Sequence, residues 1–345
     1  MGNFFKKVAC FTDIHWGRRG DSETHNNDCA AYIEWFCEQV ILHKCDKIIF
    51  LGDWFENRVR LRLDTQWYAN NALRRLKKLE LPIYMIVGNH DMFYKNNRTI
   101  HSMDHMLDDA GIQLINNITS QDGVSFVPFV VGEEFVKVPE LRSKYIFGHF
   151  ELPLFLTNQV KEMDDHGGLH ADHFLYQDYV FSGHFHKRQL KVNKHNVPVC
   201  YIGNPFGFDM NDVNDFEKGC MILEWGGEPL FINYEKGPRF IRTNLSVLDD
   251  SIFSHGEYAS IEILNDIGFS MEEVQSLKND LSDSFRKVDV RNMKIATDNV
   301  NKAFTENIEN KSIGEMVEEN LLRFDPRDSG IDPNKLLKLY KGKQR

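Results

Sequence analysis

Five short apolar runs in this chain each give way to Gly, Asp, Asn or His. Residues 7–12 lead into Asp13-Ile14-His15-Trp16-Gly17, and residues 47–51 into Gly52-Asp53. Residues 83–87 lead into Gly88-Asn89-His90-Asp91, residues 144–147 into Gly148-His149, and residues 179–182 into Gly183-His184-Phe185-His186. Runs of this length bounded by turn residues read as buried strands. Between the first three lie two stretches of helical spacing. Residues 28–44 carry Ile33, Phe36, Cys37, Val40 and Ile41; residues 64–80 place Trp67, Leu73, Leu76 and Leu79 on an inner side, with Asp64 as N-cap and Pro82 near the stop. A β-α-β-α-β order predicts a parallel sheet with covering helices, and such sheets build their sites at the carboxyl ends of the strands.

The remainder turns mostly to strands, over 124–131, 144–147, 179–182, 197–202, 219–225 and 229–234, with Gly226-Gly227 as a tight turn between the last two. Two facing sheets flanked by helices fit this order. Residues 150–175 are polar and read as a long surface excursion. Near Pro238 the pattern changes. Residues 258–264 alternate like a strand, Ser270 with Glu273 is a capping-box pattern for a helix to about 285, and 288–295 is another strand candidate. After Asp298 the chain is polar. Ile313, Met316, Val317, Leu321 and Leu322 mark one amphipathic helix, and Leu336, Leu337 and Leu339 a second. The division expected is 1–238, 239–298 and 299–345.

Net charge is −10, which argues against a protein that coats DNA through many phosphate contacts. It leaves room for a nuclease, because metal-binding carboxylates add to the acidic count and bound cations offset them. No apolar run approaches the roughly 18 residues of a membrane span, and residues 1–7 lack a signal-peptide core. A cytoplasmic protein without membrane contact is expected. The six cysteines form no C-x-x-C pair, so reduced, buried thiols are expected.

The five segments offer Asp, His and Asn, a mixture suited to Mn²⁺, Mg²⁺, Fe²⁺ or Zn²⁺. In Asp13-x-His15 and His184-x-His186 the spacing of two puts both side chains on one face of an extended chain. Gly52, Gly88, Gly148 and Gly183 permit sharp turns beside a ligand. Any one segment alone is weak; all five in order, each at a strand end, point to one metal-binding crevice.

With these motifs the sequence resembles the calcineurin-like metallophosphoesterases, whose pattern runs D-x-H, G-D, G-N-H-D, G-H and G-H-x-H, over roughly residues 7–235. Within that superfamily it looks like the SbcD-type double-strand-break repair nucleases and their phage recombination branch. This narrower likeness rests on Asp13 to Gly17, on Gly88 to Asp91, and on Tyr201-Ile202-Gly203-Asn204-Pro205 followed by Glu217-Lys218-Gly219. The resemblance implies an α/β fold, the calcineurin-like four-layer αββα sandwich, with a small α+β capping domain that binds DNA and a helical C-terminal tail. It implies two divalent ions, Mn preferred. Asp13, His15 and His186 would hold one ion, Asn89, His149 and His184 the other, and Asp53 would bridge them. His90 would act on the leaving oxygen. Glu56 stands three residues after the bridging Asp, where relatives carry Asp or His, and a carboxylate there would orient His90. The activity implied is 3′-to-5′ exonuclease on duplex DNA and endonuclease on single strands. The partners implied are DNA, a second copy in a homodimer, and an SbcC-type coiled-coil ATPase. No nucleotide-binding P-loop occurs here, so ATP dependence would belong to that partner.

Arg18, Arg19, Arg58, Arg60, Arg62, Lys95 and Arg98 follow the ligand motifs and are expected to rim the crevice, where they would meet DNA phosphates or simply face solvent. His101, His105, His166, His170, His173 and His195 read as surface or supporting histidines. Two other readings stand beside the nuclease. A phosphodiesterase for a small molecule or nucleotide would use the same metals but gives no reason for residues 240–345. An adaptor with a decayed site should have lost ligands.

Overall fold

Alternation along the central strands sets the layers. The computed structural model describes residues 2–104, 111–159 and 161–292. Strands β1 (Lys7–Phe11), β2 (Lys47–Phe50) and β3 (Ile83–Ile86) are connected through helices α1 (Glu23–Leu42) and α2 (Leu63–Lys77), and β4 (Ile112–Ile115) follows. Ala9, Phe11, Ile48, Phe50, Ile83 and Met85 point to the helices and meet Tyr32, Ile33, Phe36, Leu73 and Leu76. Their neighbours Val8, Cys10, Ile49, Tyr84 and Ile86 point the other way, onto a second sheet. That sheet contains β5 (Thr119–Gln121), β6 (Val124–Val127), β7 (Tyr145–His149), β8 (Tyr179–Gly183), β9 (Gln189–Val192) and β10 (Pro198–Tyr201). Strands β11 (Gly219–Glu224) and β12 (Leu230–Asn233) return to the first sheet as a hairpin, giving the orders β12-β11-β1-β2-β3-β4 and β5-β6-β7-β8-β10-β9. Phe126, Phe147 and Phe181 fill the space between the sheets, each worth ~1.5–3 kcal/mol when fully buried.

The α/β sandwich of two sheets is as expected, with differences at its margins. The outer face of the second sheet carries Val127, Ile146, Val180, Val199 and Tyr201, and among the described residues it is covered by irregular and 3-10 segments rather than an α-helix. The 150–175 excursion is therefore no plain surface loop: it drives Phe150, Leu152, Phe155, Leu169 and Phe174 into this third core. Helix α1 starts before residue 28, at Glu23, because Ser22 accepts from His25 N as N-cap. Arg62, not Asp64, is the N-cap of α2, and Trp67 is 60% exposed on its outer side. The strands β4, β5 and β9, three or four residues each, are additions to those expected from the sequence.

A third sheet begins where the sequence changes. Strand β13 (Arg239–Asn244), which the sequence reading missed, pairs parallel with β14 (Ala259–Asn265), and β14 with β15 (Lys287–Asn292). Helix α3 (Met271–Ser282) crosses between them, opened by the expected capping box of Ser270 and Glu273. Arg286 ties this sheet to α1 through a bidentate pair with Asp28 at 3.0 and 2.7 Å. The two tail helices expected after Asp298 lie outside the described residues. No helix among the described residues is long and apolar enough to cross a membrane. All six cysteines are buried and unpaired, and burial pushes the Cys37 thiol up to about 11 and that of Cys45 to about 12.

Candidate metal centre

Parallel pairing of β1 with β2, β2 with β3, and β7 with β8 brings the five polar strand ends to one edge of the sandwich. The loops behind β1 and β2 are zipped together, with Asp13 N donating to Gly52 O at 2.9 Å and Trp16 N to Trp54 O at 2.9 Å. Asp91 fastens the next loop to them. One of its carboxylate oxygens accepts from Asp53 N and Gly88 N, the other from Trp54 N at 2.9 Å and Phe55 N at 3.2 Å. Two glycines are required by close approach: a Cβ at Gly52 would run into the His149 ring, and one at Gly88 into the Asp53 carboxylate.

Asp13, His15 and His186 come together as one group of donor atoms within 4.8 Å, and Asp53, His149 and His184 as another. Asp53 Oδ2 lies 3.6 Å from His15 Nε2 and 3.4 Å from His149 Nε2, between the two groups. Asn89 Oδ1 lies 2.9 Å from His149 Nε2 and 2.7 Å from His184 Nδ1. All seven ligands expected from the sequence thus share one crevice. Four hold backbone angles that L-residues rarely adopt: Asp13 and His15 at φ 51°, Asp53 at 63° and His184 at 84°. Such conformations cost ~1–3 kcal/mol each and persist where the surroundings enforce them.

The donor set fits divalent ions. His15 Nε2 is buried, lacks a hydrogen-bond partner and faces Asp13 and Asp53. His149 Nδ1 donates to Leu51 O at 2.6 Å, so the neutral ring turns a lone pair from Nε2 toward Asn89 Oδ1 and Asp53, themselves acceptors. That cluster of electron pairs calls for positive charge. Burial opposes a charge on His149, yet the Asp53 and Asp13 carboxylates outweigh it and push the imidazole up to about 9. Metal ions answer the same demand. Burial and the neighbouring His15 hold His186 well below its usual range, leaving it neutral and able to donate a pair.

His90 and Glu56 are adjacent to this set. His90 N donates to Asp53 Oδ1 at 2.7 Å, and its ring lies edge-on to His15 with centroids 4.8 Å apart. The expected link from the Glu56 carboxylate to His90 is not what the structure shows. The Glu56 main-chain carbonyl accepts from His90 Nδ1 at 2.9 Å, while the carboxylate sits 2.8 Å from His15 Nδ1 and 3.1 Å from Arg18. The carboxylate stays within 4.8 Å of a His90 ring nitrogen while pairing with His15 and Arg18. Burial would raise the Glu56 carboxyl, but His15 and Arg18 hold it at about 2.

The profile of the family described as "Calcineurin-like phosphoesterase" matches residues 6–188 of the 345. The chain belongs to that family. Its enzymes are hydrolases, and the seven candidate ligands lie within the matched residues. "Exonuclease subunit 1" of Enterobacteria phage T4 is 28% identical over 218 residues, 61% of this chain and 62% of that protein, so the chain spans less than two thirds of that relative. Among solved structures, a dimetal phosphatase from Danio rerio is 13% identical with a TM-score of 0.42, covering 66% of this chain and 98% of that one. The Pseudomonas putida nuclease MPE is 16% identical with a TM-score of 0.34, covering 64% and 84%.

The basic residues expected at the rim separate into three kinds. Arg98 is corrected: it is buried, paired with Glu134 at 2.6 Å and donating to Asn116 O and Phe129 O, so it holds loops together and cannot meet DNA. Arg18 bridges Glu56 and Asp209 and lies 4.9 Å over Phe208, while Arg19 donates to Phe208 O and lies over Phe240. Arg58, Arg60 and Lys95 form no ion pair among the described residues, and Arg62 pairs with Asp64 at 2.7 Å. Of the remaining histidines, His101 is buried beside Asp104 at 3.0 Å, His170 lies 3.4 Å from Asp165, and His105 is outside the described residues. A cleft of about 430 Å³ opens beside the site, lined by Arg18, Lys161, His184, His186 and Asp209 among others. Asp91 and Thr12, which donates to Asp13 Oδ2 at 2.6 Å, were not singled out as site residues. Asp91 was visible only as the last letter of the third motif, and Thr12 as the end of an apolar run.

Proposed function

We propose that this phosphoesterase is a two-metal DNA nuclease that processes DNA ends for recombination and repair, with Mn²⁺ as its preferred ion and Mg²⁺ as a substitute. The observation that carries the reading is the position of Asp53 Oδ2 between His15 and His149, flanked by a complete set of Asp, Asn and His donors. Asp13, His15 and His186 would hold one ion, and Asn89, His149 and His184 the other, with Asp53 shared. Two divalent ions there supply Lewis acidity at a phosphodiester and a nucleophile at neutral pH. Asp91 and Thr12 fix the carboxylate-bearing loops. His90, with Nδ1 committed to the Glu56 carbonyl, has Nε2 left to protonate the leaving oxygen or to steady its charge. Arg58, Arg60 and Lys95 are the basic residues left to meet DNA phosphates.

The DNA substrate is supported by the likeness to the T4 exonuclease subunit and by the additional α+β sheet after residue 238, which a small-molecule phosphodiesterase would not need. We assign that sheet a DNA-contacting role, with 3′-to-5′ exonuclease action on duplexes and endonuclease action on single strands. A homodimer and an SbcC-type ATPase subunit complete the reading. The purified chain with Mn²⁺ is to be incubated with labelled duplex DNA and, separately, with bis(p-nitrophenyl) phosphate. Efficient cleavage of DNA is expected; hydrolysis of the generic diester alone would favour the small-molecule reading.

A further inference from the structure

We propose that Lys218 is a positioning residue for His186, acting through a buried ion cluster with Asp212 and Asp215. Its ammonium is only 4% exposed and lies 3.1 Å from Asp212 Oδ1 and 2.8 Å from Asp215 Oδ2, whose side chains are equally buried. The ammonium donates to Asp212 Oδ1 and to His186 O at 2.8 Å, while Asp215 faces it as an ion-pair partner, all away from water.

His186 needs such a hold. A metal-ligating histidine usually gives its second ring nitrogen to a carboxylate or carbonyl, which fixes the ring. His149 does so with Leu51 O, and His15 has Glu56 beside Nδ1. Neither ring nitrogen of His186 makes a hydrogen bond among the described residues. Its position is set instead by its backbone and by packing. Its carbonyl accepts from Lys218 and from Asn204 N at 3.2 Å. Its ring packs against Phe208, with centroids 5.2 Å apart and planes at 86°. The same ion cluster holds Phe208: the second oxygen of Asp212 accepts from Phe208 N at 2.7 Å. One buried cluster therefore grips His186 from both sides, through its carbonyl and through the ring that its imidazole leans on. Burying an ion pair is costly, and two carboxylates around one ammonium more so, which a purely structural contact could avoid with apolar residues.

The proposal rests on His186 being a metal ligand, and the test separates the two. Mn²⁺ is titrated by calorimetry into the full chain, with electron paramagnetic resonance of the bound ions as a second readout. The combined variant Lys218→Met, Asp212→Asn, Asp215→Asn removes the cluster without stranding a charge. It is expected to bind one ion about 10–100-fold more weakly, the range for losing support behind a ligand, and the other unchanged. Lys218→Arg keeps the charge and a donor, so it is expected to restore part of that affinity, and it serves if the combined variant does not fold. Both ions bound with unchanged affinity and spectrum in either variant, or both weakened equally, would overturn the positioning role. His186→Ala is the control: if it still binds two ions normally, His186 is not a ligand and the underlying reading fails instead.

Discussion

His90 Nδ1 donates to the main-chain carbonyl of Glu56 across 2.9 Å, so the ring is anchored by backbone that a side-chain substitution at position 56 leaves in place. The Glu56 carboxylate serves His15 instead. The two residues should therefore fail differently. His90→Asn is expected to keep both ions and DNA binding while slowing cleavage by roughly 10²-fold or more, the scale of losing an acid–base group. Glu56→Gln is expected to weaken one ion by about 10–100-fold, as losing a partner behind a ligand does. Metal titrations beside single-turnover rates check this; loss of metal in the His90 variant would show that its role is misassigned.

His184 and Asn89 meet at 2.7 Å although 95 residues separate them in sequence. His184→Ala is expected to lower the metal stoichiometry and abolish cleavage. An unchanged two-ion stoichiometry would remove His184 from the ligand set.

Asp91 satisfies four buried backbone donors with one carboxylate. Each buried donor left unpaired costs ~1–3 kcal/mol. Asp91→Ala should therefore lower unfolding free energy by about 2 kcal/mol or more, and Asp91→Asn should not rescue it, because one amide end would face two N–H groups. Urea unfolding measures this. A change under about 0.5 kcal/mol, typical of an inert surface site, would refute the role.

The site was more legible than the fold. Asp13, Asp53, Asn89, His149 and His184 each follow a buried strand, and strand-plus-polar-end is a strong linear signal that topology merely gathers. Glu56 was legible in position and not in partner, since its carboxylate pairs with His15 while its main-chain carbonyl takes His90 Nδ1. Arg98 looked like its basic neighbours because burial is not written locally; its partner Glu134 comes from a 3-10 helix 36 residues away. Strands β5 and β9 are only three and four residues long and mostly exposed, too short for a pattern to stand out. Helical spacing puts Trp67 inward with Leu73 and Leu76, yet α2 buries Thr65, Ala69, Ala72, Leu73 and Leu76 and leaves Trp67 exposed.

The tail makes a separate prediction from sequence alone. Ile313, Met316, Val317 and Leu321 would anchor one of two helices too short to be stable unaided, which suits docking on a partner. Truncation after Asp298 is expected to leave Mn²⁺-dependent cleavage nearly intact and to stop co-purification with a coiled-coil ATPase. Full-affinity capture of that ATPase by the truncated chain would rule the tail out as the docking element.

The central claim is that two divalent ions shared by Asp53 let this chain cleave DNA. The most direct measurement is cleavage of end-labelled duplex and single-stranded DNA by the purified protein as Mn²⁺ is titrated, with Asp53→Asn alongside. Cleavage should follow occupancy of the second ion and vanish in the variant. DNA left intact with both ions bound, or cleavage that survives in Asp53→Asn, would contradict the account.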